Sequence, residues 1–215
     1  MCLNKSHLVL VLFLILATSL IACGGSSGTE PNSNPINNQA PQISGIPSTQ
    51  VIVEADYLFA PVGSDVDGDT LSFEIENKPL WANFDSATGT LSGTPSTSDI
   101  NTTSNIIIKV SDGTLITALS AFDLTVSYGS ATLSWEPPTE RTDDTTFPLN
   151  EVAGYRIYYG NQQDQMQMLT DINDSSISEY VVGSLTAGSH YFAVTTYDIH
   201  NTESSLSNVQ SKIFE

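Results

Sequence analysis

Basic residues are scarce in this chain: six Lys and Arg stand against 24 Asp and Glu in 215 residues, a formal net charge of −18. All 24 acids lie after Cys23, where only Lys78, Lys109, Arg141, Arg156 and Lys212 are basic, so that part carries a formal charge of −19. Such a surface repels phosphate backbones and anionic headgroups, which excludes nucleic acid as a partner; it attracts divalent cations and stays soluble in salt. Cysteine is almost absent. With only Cys2 and Cys23 present, and Cys2 expected to leave with an N-terminal signal segment, no disulfide can staple the folded part, which must rest on hydrophobic cores. Histidine is equally thin, with His190 and His200 the only two beyond the N-terminal segment, and no nucleophile motif accompanies them. No helical period is sustained anywhere, and a long unbroken apolar run occurs once. The expectation is a non-enzymatic, all-β protein.

That one run decides the compartment. Lys5 precedes an apolar stretch from Leu8 to Leu16 that continues through small residues to Ala22-Cys23. It is too short for a comfortable bilayer span of roughly 20 residues and fits a signal-peptide core. The ending Leu20-Ile21-Ala22-Cys23 resembles the bacterial lipobox, which implies cleavage before Cys23 and acylation of that residue, anchoring the chain in a membrane. Gly24 stands where an aspartate would retain such a protein at the inner membrane, so the expected location is the bacterial cell envelope, on the outer membrane, periplasmic or surface-exposed.

The expected organisation is a signal peptide over 1–22, a lipidated flexible tether over 23–41, one domain over 42–127 and a second over 128–215. The tether is Gly, Ser, Asn and Pro with almost nothing to bury, so it cannot offset the entropy of ordering. The remaining length suits two small sandwiches better than one. Beyond Pro41 short alternating segments are punctuated by turn residues. Leu71, Phe73 and Ile75 alternate with polar residues, as do Phe122, Leu124 and Val126, while Ile106, Ile108 and Val110 lead into Ser111-Asp112-Gly113. Each strand therefore has one apolar and one wet face.

In the first domain, Asp65-Val66-Asp67-Gly68-Asp69-Thr70-Leu71 precedes Lys78-Pro79-Leu80-Trp81-Ala82-Asn83-Phe84-Asp85 and Ala87-Thr88-Gly89-Thr90-Leu91-Ser92-Gly93-Thr94-Pro95, and Val110-Ser111-Asp112-Gly113 follows. This order and spacing resembles the immunoglobulin-like or dystroglycan-type cadherin-like domain of bacterial surface proteins. Trp81 and Phe84 read as core, and Asp85 to Gly89 as a tight turn with Gly89 at positive φ. The second domain opens on Ala131-Thr132-Leu133-Ser134-Trp135-Glu136-Pro137-Pro138 and continues through Gly154-Tyr155-Arg156-Ile157-Tyr158-Tyr159 to Tyr191-Phe192-Ala193-Val194. It resembles a fibronectin type III domain with a missing or very short first strand, which implies close abutment of the two domains. Trp135, Tyr155, Ile157, Leu185 and Leu206 would fill its core. Two registers fit around residue 190. The count from Leu185 puts Tyr191 at a corner of the fold, whereas Phe192, Val194 and Thr196 make the more apolar face and put His190 there; the second is favoured.

Asp65, Asp67 and Asp69 alternate in a turn, a pattern that can converge on a hard cation wanting about six to eight oxygens. The sixth position of an EF-hand loop counted from Asp65 is Thr70 in place of glycine, and the stretch beyond it alternates as a strand, so the EF-hand is rejected. The cadherin-like resemblance implies calcium instead, with Asp112 and Glu54 as further donors. A plain Asp-Gly turn stabilised by its own side chains fits the same residues. Asp143-Asp144 reads as a solvated loop. Tyr158, beside Arg156, could form a sugar-stacking platform with Tyr197 or Tyr191. The resulting expectation is an adhesion, interaction or spacer lipoprotein with an unidentified protein or glycan partner, its acidic turn either a calcium site or a plain turn. The alternative is a carbohydrate-binding accessory protein of a polysaccharide-degrading system.

Overall fold

The computed structural model describes residues 38–215, and among these there is no α-helix, only strands and two single 3-10 turns. The lipidation expectation at Cys23 and the whole signal segment lie outside the described residues.

The N-terminal strands are β1 (Gln42–Ser44), β2 (Gln50–Ile52), β3 (Tyr57–Phe59), β4 (Val62–Ser64), β5 (Ser72–Glu76), β6 (Asn83–Phe84), β7 (Leu91–Gly93), β8 (Thr102–Ser111), β9 (Ile116–Ala118) and β10 (Phe122–Ser127). One sheet runs β2-β10-β8-β5 with β9 also on β8; β3-β7-β6 and the β1-β4 pair complete the fold. The alternation in β8 places Ile106, Ile108 and Val110 inward at full burial, where they meet Val53 and Leu91, with Trp81 and Phe84 packed alongside. Each such side chain contributes about 1.5–3 kcal/mol by leaving water. The Asp85 turn forms as expected: Gly89 has φ +73° and donates its N–H to the Asp85 carbonyl at 2.8 Å.

The C-terminal strands are β11 (Gly129–Ser134), β12 (Val152–Gly160), β13 (Gln167–Ile172), β14 (Glu179–Leu185), β15 (Gly188–Asp198) and β16 (Gln210–Phe214). They form a two-stranded sheet, β11-β14, facing a four-stranded one, β13-β12-β15-β16. Tyr155 and Ile157 are fully buried, Leu185 is buried and Trp135 packs against Tyr155. Around residue 190 the favoured register holds in part. Phe192 and His190 are buried and Tyr191 is half-buried, while Val194 and Thr196 are only partly covered. The His190 ring is held at both nitrogens, by the Tyr159 hydroxyl at 2.8 Å and by donation to the Thr186 carbonyl at 2.9 Å. Leu206 does not fill the core; it is 45% exposed. Its segment is tied to β15 by polar groups, with Ser204 N–H on the Thr196 carbonyl and Ser207 N–H on the Val194 carbonyl, which leaves the leucine facing solvent.

Among the described residues no strand before residue 128 pairs with one after it, and only Tyr128 separates β10 from β11. The two sandwiches nonetheless touch. Ala187, in the β14–β15 turn, packs against the N-terminal core and donates its N–H to the Val53 carbonyl at 2.8 Å.

Candidate metal centre

Two turns meet at the end of the N-terminal sandwich remote from the junction. The first follows β4: the Asp65 carboxylate accepts the N–H groups of Asp67 at 2.8 Å and Asp69 at 3.2 Å through the same oxygen, Oδ1. The second follows β8, where Asp112 Oδ1 accepts the N–H groups of Thr114 at 2.7 Å and Leu115 at 2.6 Å. The Leu115 N–H, more than any other group, holds the Asp112 carboxyl below the usual carboxylate range and keeps it ionised.

This arrangement brings one carboxylate oxygen each from Asp65, Asp69 and Asp112 within 4.8 Å of one another. Calcium binds oxygens at about 2.4 Å, so ligands on one ion lie no more than about 5 Å apart. The Asp65 Oδ2 atom is buried and has no hydrogen-bond partner among the described residues. A buried carboxylate oxygen left unpaired is costly, and a cation would satisfy it. These three carboxylates are close enough together to share a hard divalent ion, and supply three of the roughly six to eight oxygens calcium takes.

Two expected donors are not in this group. Asp67 does not converge with the other three; its Oδ2 accepts the Gln39 N–H at 2.7 Å. Glu54 stands at the opposite end of the sandwich: its N–H bonds the Pro95 carbonyl, its neighbour Val53 touches Ala187, and the ten residues of β8 separate that end from Asp112. Sequence reasoning missed Asn38, whose side-chain amide donates to Asp112 Oδ2 at 2.9 Å. Residues 38–41 were expected to belong to the flexible tether, but Asn38 and Gln39 bond the two acidic turns and Pro41 is fully buried. Nothing in the composition of residues 38–41 distinguishes them from the tether.

The expected tyrosine platform takes a different form. Tyr197 is buried, at 7% exposure, because the Arg156 guanidinium lies 4.4 Å above its ring. Arg156 Nε donates to Asp171 at 3.0 Å and Nη2 to Asn201 at 2.8 Å, while its Nη1 pairs with Glu203. The hydroxyls of Tyr158 and Tyr197 donate to Glu203 and Asp171, each at 2.7 Å. The face is thus a closed polar network that straps the 199–203 loop to β12 and β15, and Tyr197 offers no open ring to a sugar. Asp143 and Asp144 also serve a turn, with Asp143 Oδ1 accepting from the Thr145 hydroxyl at 2.6 Å.

The strap has a pH signature. The Tyr197 hydroxyl, and after it Arg156, holds the Asp171 carboxyl below its ordinary value against the opposing effect of burial. For Glu203 burial raises the value most, but hydrogen bonds from Thr195, Tyr158 and Arg156 together bring it below normal. A carboxyl depressed in the folded state stabilises fully above its unfolded value, about 4, and loses that contribution as pH falls through the folded value. NMR resonances of Asn201 and Glu203 are therefore expected to hold steady from pH 7 to about 4.5 and to move toward unstructured positions only below that. Loss of order near pH 6 would contradict the strap.

The chain resembles an endo-fucoidan hydrolase of glycoside hydrolase family 107 at 16% identity over 84% of this chain and 29% of that one, with a TM-score of 0.33. It resembles the fibronectin(III)-like modules of Clostridium thermocellum CbhA at 11% identity, over 81% of this chain and 94% of that one, with a TM-score of 0.35. Human protocadherin-24 EC1-2 matches at 16% identity over 82% and 95% of the two chains, also with a TM-score of 0.35. The chain spans only 18% and 29% of the length of the first two solved structures it matches. No curated protein matches it. Residues 36–127 match the family model described as "Putative Ig domain", and the fold is immunoglobulin-like.

Proposed function

We propose that this chain is a non-catalytic display module: a lipid-anchored pair of immunoglobulin-like sandwiches, stiffened by calcium at its anchor-proximal end, that holds an interaction surface away from the outer membrane. The observation that carries the reading is the junction. A one-residue connection and the Ala187–Val53 contact couple the two sandwiches, and residues 38–215 cluster as one compact unit. A spacer must resist bending, and short connections with packed contacts achieve that where a flexible linker would not.

The acidic turns support the second half of the reading. Asp65, Asp69 and Asp112 would hold the ion, which supplies positive charge that draws two loops and the entering chain at Asn38 together. Asp65 presents its unpaired oxygen, and the backbone donors on Asp112 keep that group charged. Cys23 would carry the acyl chains.

Thermal unfolding with calcium or chelator tests this. A ligand that binds only the folded state at 100 times its Kd adds about 2.7 kcal/mol. For a unit of this size that is a rise of roughly 5–11 °C. The rise is expected to vanish in Asp65→Ala and to persist in Asp67→Ala, because Asp67 is outside the three-carboxylate group. Identical curves with calcium and chelator would leave the acidic loops as turns only. Fractionation of cells that places the Cys23→Ser chain in the membrane would refute the anchor.

A further inference from the structure

The two sheets of the C-terminal sandwich are unequal, and the smaller one ends on an uncovered strand. β11 pairs with β14 on one side only. Trp135 donates its N–H to the Ser178 carbonyl on the β14 side, and backbone direction alternates along a strand. Leu133 and Trp135 therefore face β14, while Thr132 and Ser134 turn their N–H and C=O groups to the free edge. Both residues are exposed, and no backbone partner for them occurs on that side among the described residues.

Beside this edge the sandwich is open. At one end β11 closes onto β16: Phe214 packs on Gly129, and Lys212 donates to the Ser130 carbonyl at 2.9 Å. Beyond that point the sheets part around a cleft of about 570 Å³, with Leu133 and Trp135 on one wall and Phe192 and Val194 on the other. Pro137 and Pro138 then end the strand, so the free edge is short and bounded. An unpaired row of backbone groups beside a cleft that sets Leu133, Trp135, Phe192 and Val194 among polar residues is the geometry of strand addition, in which main-chain hydrogen bonds give affinity and alternate side chains enter the cleft.

We propose that this edge binds an extended strand of a partner protein with apolar side chains at alternate positions and basic residues between them. Charge complementarity selects that occupant. Glu136 is the only charged residue lining the cleft, and the chain as a whole carries a formal charge of −18, which favours a cationic strand and repels a second copy. The chain's own N-terminal segment does not suit the edge: residues 24–37 hold one large apolar residue, Ile36, and Asn38 is tied to Asp112 at the far end of the other sandwich. This goes beyond the display role, which stands without it.

The test uses the full chain and two ten-residue peptides, one alternating valine with lysine, the other valine with glutamate. Calorimetric titration is expected to show binding of the lysine peptide alone, with the Thr132 and Ser134 amides newly protected from hydrogen exchange. Thr132→Pro removes an edge donor and is expected to weaken binding by about tenfold or more, and Glu136→Gln to weaken it to a smaller degree. The protection pattern is read on the unsubstituted chain, so a Thr132→Pro chain that fails to fold does not disable the test. Equal binding of the two peptides, no binding, protection elsewhere, or a dimer with these amides already protected would each overturn the proposal.

Discussion

Tyr155→Ala is expected to destabilise the protein by about 4 kcal/mol, the upper range for truncating a large core aromatic. Tyr155 is fully buried, its ring lies 5.2 Å from that of Trp135, and it belongs to the cluster with Phe147 and Val152. No neighbour can collapse into the space, because Phe147 is itself pinned under Arg141, whose guanidinium sits 4.3 Å over the ring and pairs with Glu151 and Asp198. If the coupled sandwiches melt together, the midpoint falls by about 8–16 °C. Tyr155→Phe keeps the ring and loses only the 3.3 Å hydroxyl contact to the Ser175 carbonyl, so its cost is expected to be about 1 kcal/mol or less. Calorimetry of the two variants separates packing from hydrogen bonding. Equal losses would mean the hydroxyl, not the ring, holds this core.

Gly154→Ala, adding a single methyl group, is expected to cost about 3 kcal/mol, the top of the ordinary range for overpacking. A Cβ at this position would lie 2.1 Å from the Ile172 carbonyl oxygen and 2.6 Å from the Tyr197 hydroxyl. The first obstacle is backbone of the neighbouring strand, so the β12–β13 pairing must shift; the second is the hydroxyl that anchors Asp171 in the polar strap. The variant should therefore lose both stability and the ordered 199–203 loop. A melting point within a degree of the parent would contradict the tight approach of these strands.

The core was legible because it obeys a period of two. Phe73, Ile106, Ile108, Val110, Tyr155 and Ile157 sit where alternation puts them, and the Asp85–Gly89 turn follows from local chemistry. What alternation does not report is what lies over a face. Tyr197 points away from the sandwich interior, as the pattern implies, yet Arg156 covers it. Leu206 failed because its segment is held to β15 through Ser204 and Ser207, not as a regular strand. The acidic cluster was half legible. Asp65, Asp69 and Asp112 converge, whereas Asp67 turns toward Gln39 and Glu54 lies a full strand length away, distances fixed by topology that residue spacing does not carry.

The fixed arrangement of the two sandwiches is tested most directly by the distance between spin labels at Ser120→Cys and Gln163→Cys, both exposed sites, in a chain whose Cys2 and Cys23 are serine. One narrow distance peak is expected, broadening in Ala187→Asp, where an unpaired carboxylate would press on the Val53 side of the N-terminal core. A broad distribution in the parent chain, unchanged by Ala187→Asp, would mean the sandwiches swing freely about Tyr128 and would contradict the spacer account.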